Sequence, residues 1–145
     1  MTRPTLFTVE ELNPIAFPLV NRFFKENGHK GKARGDERVW VVRDQQGDIL
    51  AGLRASQKSA GYLLRSVWVG NHVRRQGIGS LLLTATLSDL KSETCWCYPY
   101  PHLETFYIKA GFMLPVLENV PADILEPYQR YQQQGNDFLL MACIP

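Results

Sequence analysis

The chain has 145 residues, of which 45% are hydrophobic and 21% charged, proportions that fit a soluble globular protein and exclude a disordered, collagen-like or fibrous one. At this length one core buries about 68–70% of the unfolded surface, so residues 1–145 read as a single domain with no need of a disulfide or metal staple. The net charge of +2 is uneven: residues 1–75 carry 13 Lys/Arg against 7 Asp/Glu, and residues 76–145 carry 3 against 7. A basic first half suits an anionic ligand, but no nucleic-acid recognition motif accompanies it and no nucleic-acid partner is expected. No apolar run approaches the roughly 18 residues that span a bilayer, and the N-terminus lacks the apolar segment of a secretory signal. A cytoplasmic protein with no membrane partner is expected.

In chain order, Leu6 to Val9 reads as a first strand. From Asn13, the apolar residues Ile15, Phe17, Leu19, Val20, Phe23 and Phe24 have helical spacing, split by Pro14 and Pro18 and ending at Asn27-Gly28. Gly28 to Gly35 is a basic, glycine-punctuated loop with His29, Lys30, Lys32 and Arg34. Strands follow at Arg38–Arg43, Ile49–Ser56 and Tyr62–Val69, the first two joined by a turn at Gln46-Gly47-Asp48. A helix is expected from Gly77 to Leu90 and a strand from Thr94 to Tyr98, where Pro99 and Pro101 interrupt it. Leu103, Phe106, Tyr107 and Ala110 share one face of a short helix closed by Gly111. Phe112–Leu117 reads as a strand, Pro121 opens a helix to about Gln134, and Phe138–Ile144 is the last strand. The order β-α-β-β-β-α-β-α-β-α-β predicts an α/β fold, a mixed and mostly antiparallel sheet flanked by helices. Its exposed last strand offers an edge through which a homodimer could form.

Cys95, Cys97 and Cys143 are an odd number for a disulfide framework. Only His102 lies near the Cys-x-Cys pair, too few ligands for zinc, so no metal is expected and the cysteines read as reduced core thiols.

The strongest local signal is Val67-Trp-Val-Gly-Asn-His-Val-Arg-Arg-Gln-Gly-Ile-Gly-Ser80, which runs from a strand into a helix. Gly77 and Gly79 permit close backbone approach, and the free N–H groups of a helix start favour an anion such as pyrophosphate. Arg74 and Arg75 add charge. A P-loop is excluded because no Lys follows these glycines. A dinucleotide fingerprint is excluded because Leu82 stands where its third glycine belongs.

Arg74-Arg-Gln-Gly-Ile-Gly79 resembles the Arg/Gln-x-x-Gly-x-Gly/Ala acetyl-CoA signature of the GCN5-related N-acetyltransferases (GNAT). Further on, Phe106-Tyr-Ile-Lys-Ala-Gly-Phe112 resembles that family's Phe-Tyr-x-Lys-x-Gly-Phe signature. The resemblance implies an N-acetyltransferase domain that moves an acetyl group from acetyl-CoA directly to a primary amine of a small molecule or peptide. It implies that the backbone of Val67, Trp68 and Val69 pairs with the pantetheine arm and polarises the thioester carbonyl. Arg74, Arg75, Gln76, Gly77, Ile78, Gly79 and Ser80 would then hold the pyrophosphate. Tyr107 falls at the family's tyrosine acid, whose hydroxyl protonates the departing thiolate; the same residue also suits a packed core position.

The chain departs from the family pattern in places. Arg65-Ser66 stand where relatives carry acidic residues, so Glu104, His102 or a water relay is left to act as base. Tyr100 and Leu103 stand where the family has Asn and Ala. The Gly28–Gly35 loop and the Val116–Gly135 segment are expected to wall the acceptor site, the second bringing Tyr128 and Tyr131 near Glu126. A non-catalytic acyl-CoA-binding module is the alternative reading.

Overall fold

The computed structural model describes residues 6–145. The elements are β1 (Thr8–Glu11), α1 (Phe17–Glu26), β2 (Arg38–Arg43), β3 (Ile49–Lys58), β4 (Gly61–Val69), α2 (Ile78–Asp89), β5 (Cys95–Cys97), α3 (Glu104–Lys109), α4 (Ala122–Gln133) and β6 (Met141–Cys143). The strands form one six-stranded sheet in sequential order. β1, β2 and β3 pair antiparallel, β4 and β5 parallel, and β5 and β6 antiparallel. The α/β class and the mostly antiparallel sheet thus match the expectation from the sequence.

The described residues divide into two compact units, residues 6–55 with 66–86, and residues 56–65 with 87–145. In the first, α1 buries Phe17, Val20, Phe23 and Phe24 against Val39 and Val41 of β2, with Trp68 packed at the margin. Pro14 begins a separate 3₁₀ turn and Pro18 sits in the first turn of α1, where a missing N–H removes no helical bond. Glu11 and Glu10 of β1 face Trp40 and Val41 of β2, two residues away from Arg38 and Arg43, and across these diagonals Arg38 grips Glu11 with two bonds of 2.8 and 2.7 Å and Arg43 pairs with Glu10. In the second unit, Leu63, Trp96, Val120, Ile124, Leu140 and Ala142 form the core.

Several boundaries move. β1 begins at Thr8 rather than Leu6, β3 continues to Lys58, and β5 and β6 shrink to three residues each. The strand expected over Phe112–Leu117 does not form. Met113 makes one isolated bridge to Ala142, exchanging bonds of 2.8 and 2.9 Å, and a 3₁₀ turn follows at Leu117–Asn119. In an antiparallel ladder the next donor on that edge is two residues on, and here it is Pro115, which has no N–H. The same bridge occupies Ala142 on the outer side of β6, so the last strand is not the fully open edge that the sequence suggests.

The cysteines are unpaired; Cys95 and Cys97 are buried, whereas Cys143 is only half-buried and so does not match the expected core position. Burial pushes the Cys95 thiol up to about 12 and holds Cys97 well above the ordinary thiol range, which keeps both protonated and poorly nucleophilic.

Gly61 opens β4 at φ +106°, and a Cβ there would lie 1.9 Å from the Thr94 carbonyl oxygen, whose partner is the Tyr62 N–H at 2.9 Å. Gly47 is also left-handed, at φ +86°, but has open space around it. Gly61→Ala should therefore lose roughly 3 kcal/mol or more of stability, and Gly47→Ala only about 1 kcal/mol. Equilibrium urea unfolding measures both, and equal losses would refute the steric account.

Candidate functional site

The second half of β4 is irregular for a reason visible in its neighbours. Ser66 has φ +56°, a left-handed conformation uncommon for serine. Its Oγ accepts a 2.9 Å bond from Nε of Arg54, on β3. Arg54 also donates from Nη1 to the Lys32 carbonyl at 2.8 Å and to both carboxylate oxygens of Glu37, at 3.0 and 3.1 Å. Arg54 and Glu37 are 8% and 7% exposed, so this is a buried ion pair. Removing either partner would strand a charge in the core, which costs about 3–5 kcal/mol.

His29 lies beside this group. Its ring stacks on Trp68 of β4 with centroids 4.6 Å apart and meets Phe24 edge-on at 5.0 Å. Its Nε2 is buried without a hydrogen-bond partner. A Cβ on Gly31 would fall 2.3 Å from that nitrogen and 2.6 Å from Ser66 Oγ, so any larger residue there would push the His29 ring or the Ser66 hydroxyl aside. Burial, and then the Arg54 charge, hold the His29 imidazole below its usual pKa and favour the neutral ring.

Beyond β4 the chain makes a tight turn. Gly70 N–H donates to the Leu50 carbonyl at 2.8 Å and Val73 N–H to the Gly70 carbonyl at 3.1 Å. Arg75 (φ +68°) and Gly77 (φ +76°) then take left-handed conformations that swing the chain into α2. The first helical bond is from the Leu81 N–H to the Gly77 carbonyl, at 3.0 Å. The amides of Ile78, Gly79 and Ser80 precede it and need acceptors from outside the helix. A Cβ on Gly77 would meet nothing within 4 Å. Room for a ligand, free donors and a helix N-terminus therefore coincide, and they fit a pyrophosphate. Arg74, Arg75 and Gln76 are exposed there, while Ile78 is buried and anchors the helix start. The Arg74 guanidinium lies over the Trp68 ring at 5.5 Å, and its Nε reaches the Val69 carbonyl at 3.4 Å. Asn27 ties this turn to α1, accepting from Trp68 Nε1 and from the Asn71 N–H, both at 2.9 Å.

The residues of the second signature belong to the other unit. Tyr107, on α3, is 5% exposed, with Phe106 and Phe112 edge-on to its ring at 5.1 and 5.4 Å. Burial is the main force that raises its phenol well above the ordinary range, and the neighbouring Cys97 adds to it. Glu104 opens α3 half-buried, and His102 is exposed on the preceding 3₁₀ turn, stacked on Tyr100 at 5.7 Å. Tyr128 and Tyr131 pack against Tyr98 at 6.1 and 5.9 Å, which assigns those rings to packing. Among the described residues, no group of three or more His, Cys, Asp or Glu side chains is placed to hold a metal. Within the same residues, no helix is long and apolar enough to cross a membrane.

A kinked strand that feeds the N-terminus of a helix makes an anion site, and comparison with known proteins places the chain in a family. The family model described as "Acetyltransferase (GNAT) domain" matches residues 35–114, more than half of the chain. The chain belongs to the GNAT acetyltransferase family. No curated protein matches it significantly by sequence. Among solved structures it is similar to a putative N-acetyltransferase from Lactobacillus plantarum, with TM-score 0.71, 14% identity, and 95% and 97% of the two chains covered. It is also similar to Rv2747 from Mycobacterium tuberculosis, solved in complex with CoA, with TM-score 0.70, 16% identity, and 95% and 99% covered. A third is N-acetylglutamate synthase from Neisseria gonorrhoeae, complexed with coenzyme A and L-arginine, with TM-score 0.67 and 9% identity; 96% of this chain is covered, but only 33% of that one. The chain thus spans about a third of the length of that synthase. At these identities the likeness is one of fold.

The group Arg54, Glu37, Ser66 and His29 escapes the motif search. One signal was present: Arg54 interrupts the apolar run Ile49-Leu-Ala-Gly-Leu-Arg-Ala55, where an arginine must find a partner.

The depressed His29 pKa has a sign that can be tested. Below the unfolded value of about 6.5 the unfolded chain binds the proton that the folded one resists, so stability rises with pH there and is level above it. Wild-type stability should fall on acidification from pH 7 to pH 5, and His29→Gln should lose that part of the slope. Urea titrations at several pH values would show it, and identical slopes would count against a buried neutral His29.

Proposed function

We propose that residues 1–145 act as one acetyl-CoA-dependent N-acetyltransferase domain. The observation that carries this reading is the left-handed Arg75–Gly77 turn into α2, open to solvent and lying within the stretch that matches the family. When bound, acetyl-CoA supplies an activated acetyl thioester. The amides of Arg75 to Ser80 would hold its pyrophosphate, with Arg74 and Arg75 adding charge. Within the first unit, residues 66–69 form the last strand of the β1-β2-β3-β4 order. Backbone groups of Val67, Trp68 and Val69 would accept the pantetheine arm as an added strand, and an N–H there would polarise the carbonyl.

The acceptor is a small-molecule or peptide primary amine. Its nitrogen bonds to the acetyl carbon, the carbon–sulfur bond breaks, and the amine loses one proton while the thiolate gains one. Tyr107 is the proposed donor to sulfur, supported by the motif match and by an enclosure that keeps its phenol protonated. Glu104, His102 or a water relay would take the amine proton. Ser66, in a place where relatives carry an acid, favours a second reading, a non-catalytic acyl-CoA-binding module. Tight acetyl-CoA binding with no turnover across a broad amine panel would establish that reading instead.

Tyr107→Phe should keep the melting temperature within a few degrees and lower kcat by about 100-fold or more. Steady-state kinetics with thermal unfolding checks both, and unchanged turnover would remove Tyr107 from the chemistry. Because its phenol stays protonated, the wild-type rate should show no loss from Tyr107 ionisation up to pH 10, as a kcat–pH profile would reveal.

A further inference from the structure

The excess positive charge of the first half is sorted by the fold. Arg38, Arg43 and Arg54 of the sheet are each ion-paired. Arg22, Lys25, Lys30 and Lys32 make no salt bridge with any described residue, and all four line one groove of about 1170 Å³ between α1 and the loop that follows it. Glu26 is the single acid among the residues lining that groove. Four cations gathered with one anion repel each other, and a bound anion relieves that repulsion.

A solvated, mobile loop would spread its charges, but this one is fastened. The His29 N–H donates to the Phe24 carbonyl at 2.8 Å, and the imidazole stacks on Trp68. The Lys32 carbonyl accepts from buried Arg54, and the Ala33 N–H donates to Oδ1 of Asn21 at 2.7 Å. Gly31 is wedged against His29 and Ser66. With the backbone held at these points, Lys30 and Lys32 are exposed beside the cations of α1. His29 lines the groove and also stacks on Trp68, in the middle of the strand proposed to hold the thioester arm. The groove therefore leads to the reacting end of the donor, whereas its pyrophosphate belongs to the Arg75–Ser80 turn.

We propose that the acceptor is a small amine bearing a carboxylate or phosphate, whose anion is held by Arg22, Lys25, Lys30 and Lys32. This inference rests on the acetyltransferase reading and names its substrate class. The four cations line one concave groove, the kind of site that takes a small molecule.

The test compares amines that differ in the anion, β-alanine with β-alaninamide and phosphoethanolamine with ethanolamine, on the full chain. The anionic member of each pair should have the higher kcat/KM by about tenfold or more, and salt should erode the difference. The K30E/K32E variant should abolish the preference, through KM for the amine. Amide NMR signals of Gly28 to Lys32 should shift with β-alanine and not with β-alaninamide, and K30E/K32E should abolish that response. Equal kcat/KM within each pair, or a preference for the member without the anion, overturns the proposal while leaving acetyl transfer intact. A K30E/K32E effect on KM for acetyl-CoA that vanishes with acetyl-3′-dephospho-CoA also overturns it, because the cations would then serve the donor's phosphate. If no amine is acetylated, the acetyltransferase reading fails, and the inference is overturned with it; the NMR titration still reports separately whether the groove binds anions.

Discussion

A guanidinium in the middle of a buried strand has to be neutralised and hydrogen-bonded where it stands, and Arg54 organises the first unit through that requirement. Its donors reach Glu37, just before β2, the Lys32 carbonyl in the loop and Ser66 on β4. A well-packed apolar side chain could supply comparable stability. What an apolar side chain lacks is direction. By bonding three separate segments, Arg54 sets where the loop lies against the sheet and supports the left-handed backbone at Ser66.

That kink matters because an ordinary strand would run straight. The left-handed residue at Ser66 interrupts the pleat just before Val67, Trp68 and Val69. Trp68 then joins His29, Asn27 and Arg74, one contact each from the loop, the end of α1 and the glycine turn. A single indole thus ties together the parts of the first unit to which ligand binding is assigned. Unlike the glycine turn, whose free donors belong to the backbone, this junction depends on side-chain identity.

Sequence periodicity carries furthest where one element settles its own geometry. The apolar stripe of α1, the alternation around β2 and the glycines before α2 all appear close to where they are expected. Phe112–Leu117 fails because its apolar residues suit a strand while Pro115 removes the donor that would extend one. Partners distant in sequence were less legible. Arg54 advertises a buried charge, but nothing local says that Glu37, 17 residues away, answers it. Likewise, the stacking of His29 on Trp68 depends on the path of the intervening chain. The two signature motifs were readable because glycines and aromatics at fixed spacing reflect local demands of a turn and a short helix.

The solitary bridge between Met113 and Ala142 bears on how the protein behaves at high concentration. An unpaired outer strand is a template on which other chains can add strands and grow into aggregates. Here the segment laid along β6 satisfies one residue's donor and acceptor and then reaches a proline, so a further strand has no continuous ladder to copy. The feature that shortens the sheet thereby also terminates it, protecting an apolar stretch whose Met113, Leu114, Val116 and Leu117 are all exposed to solvent.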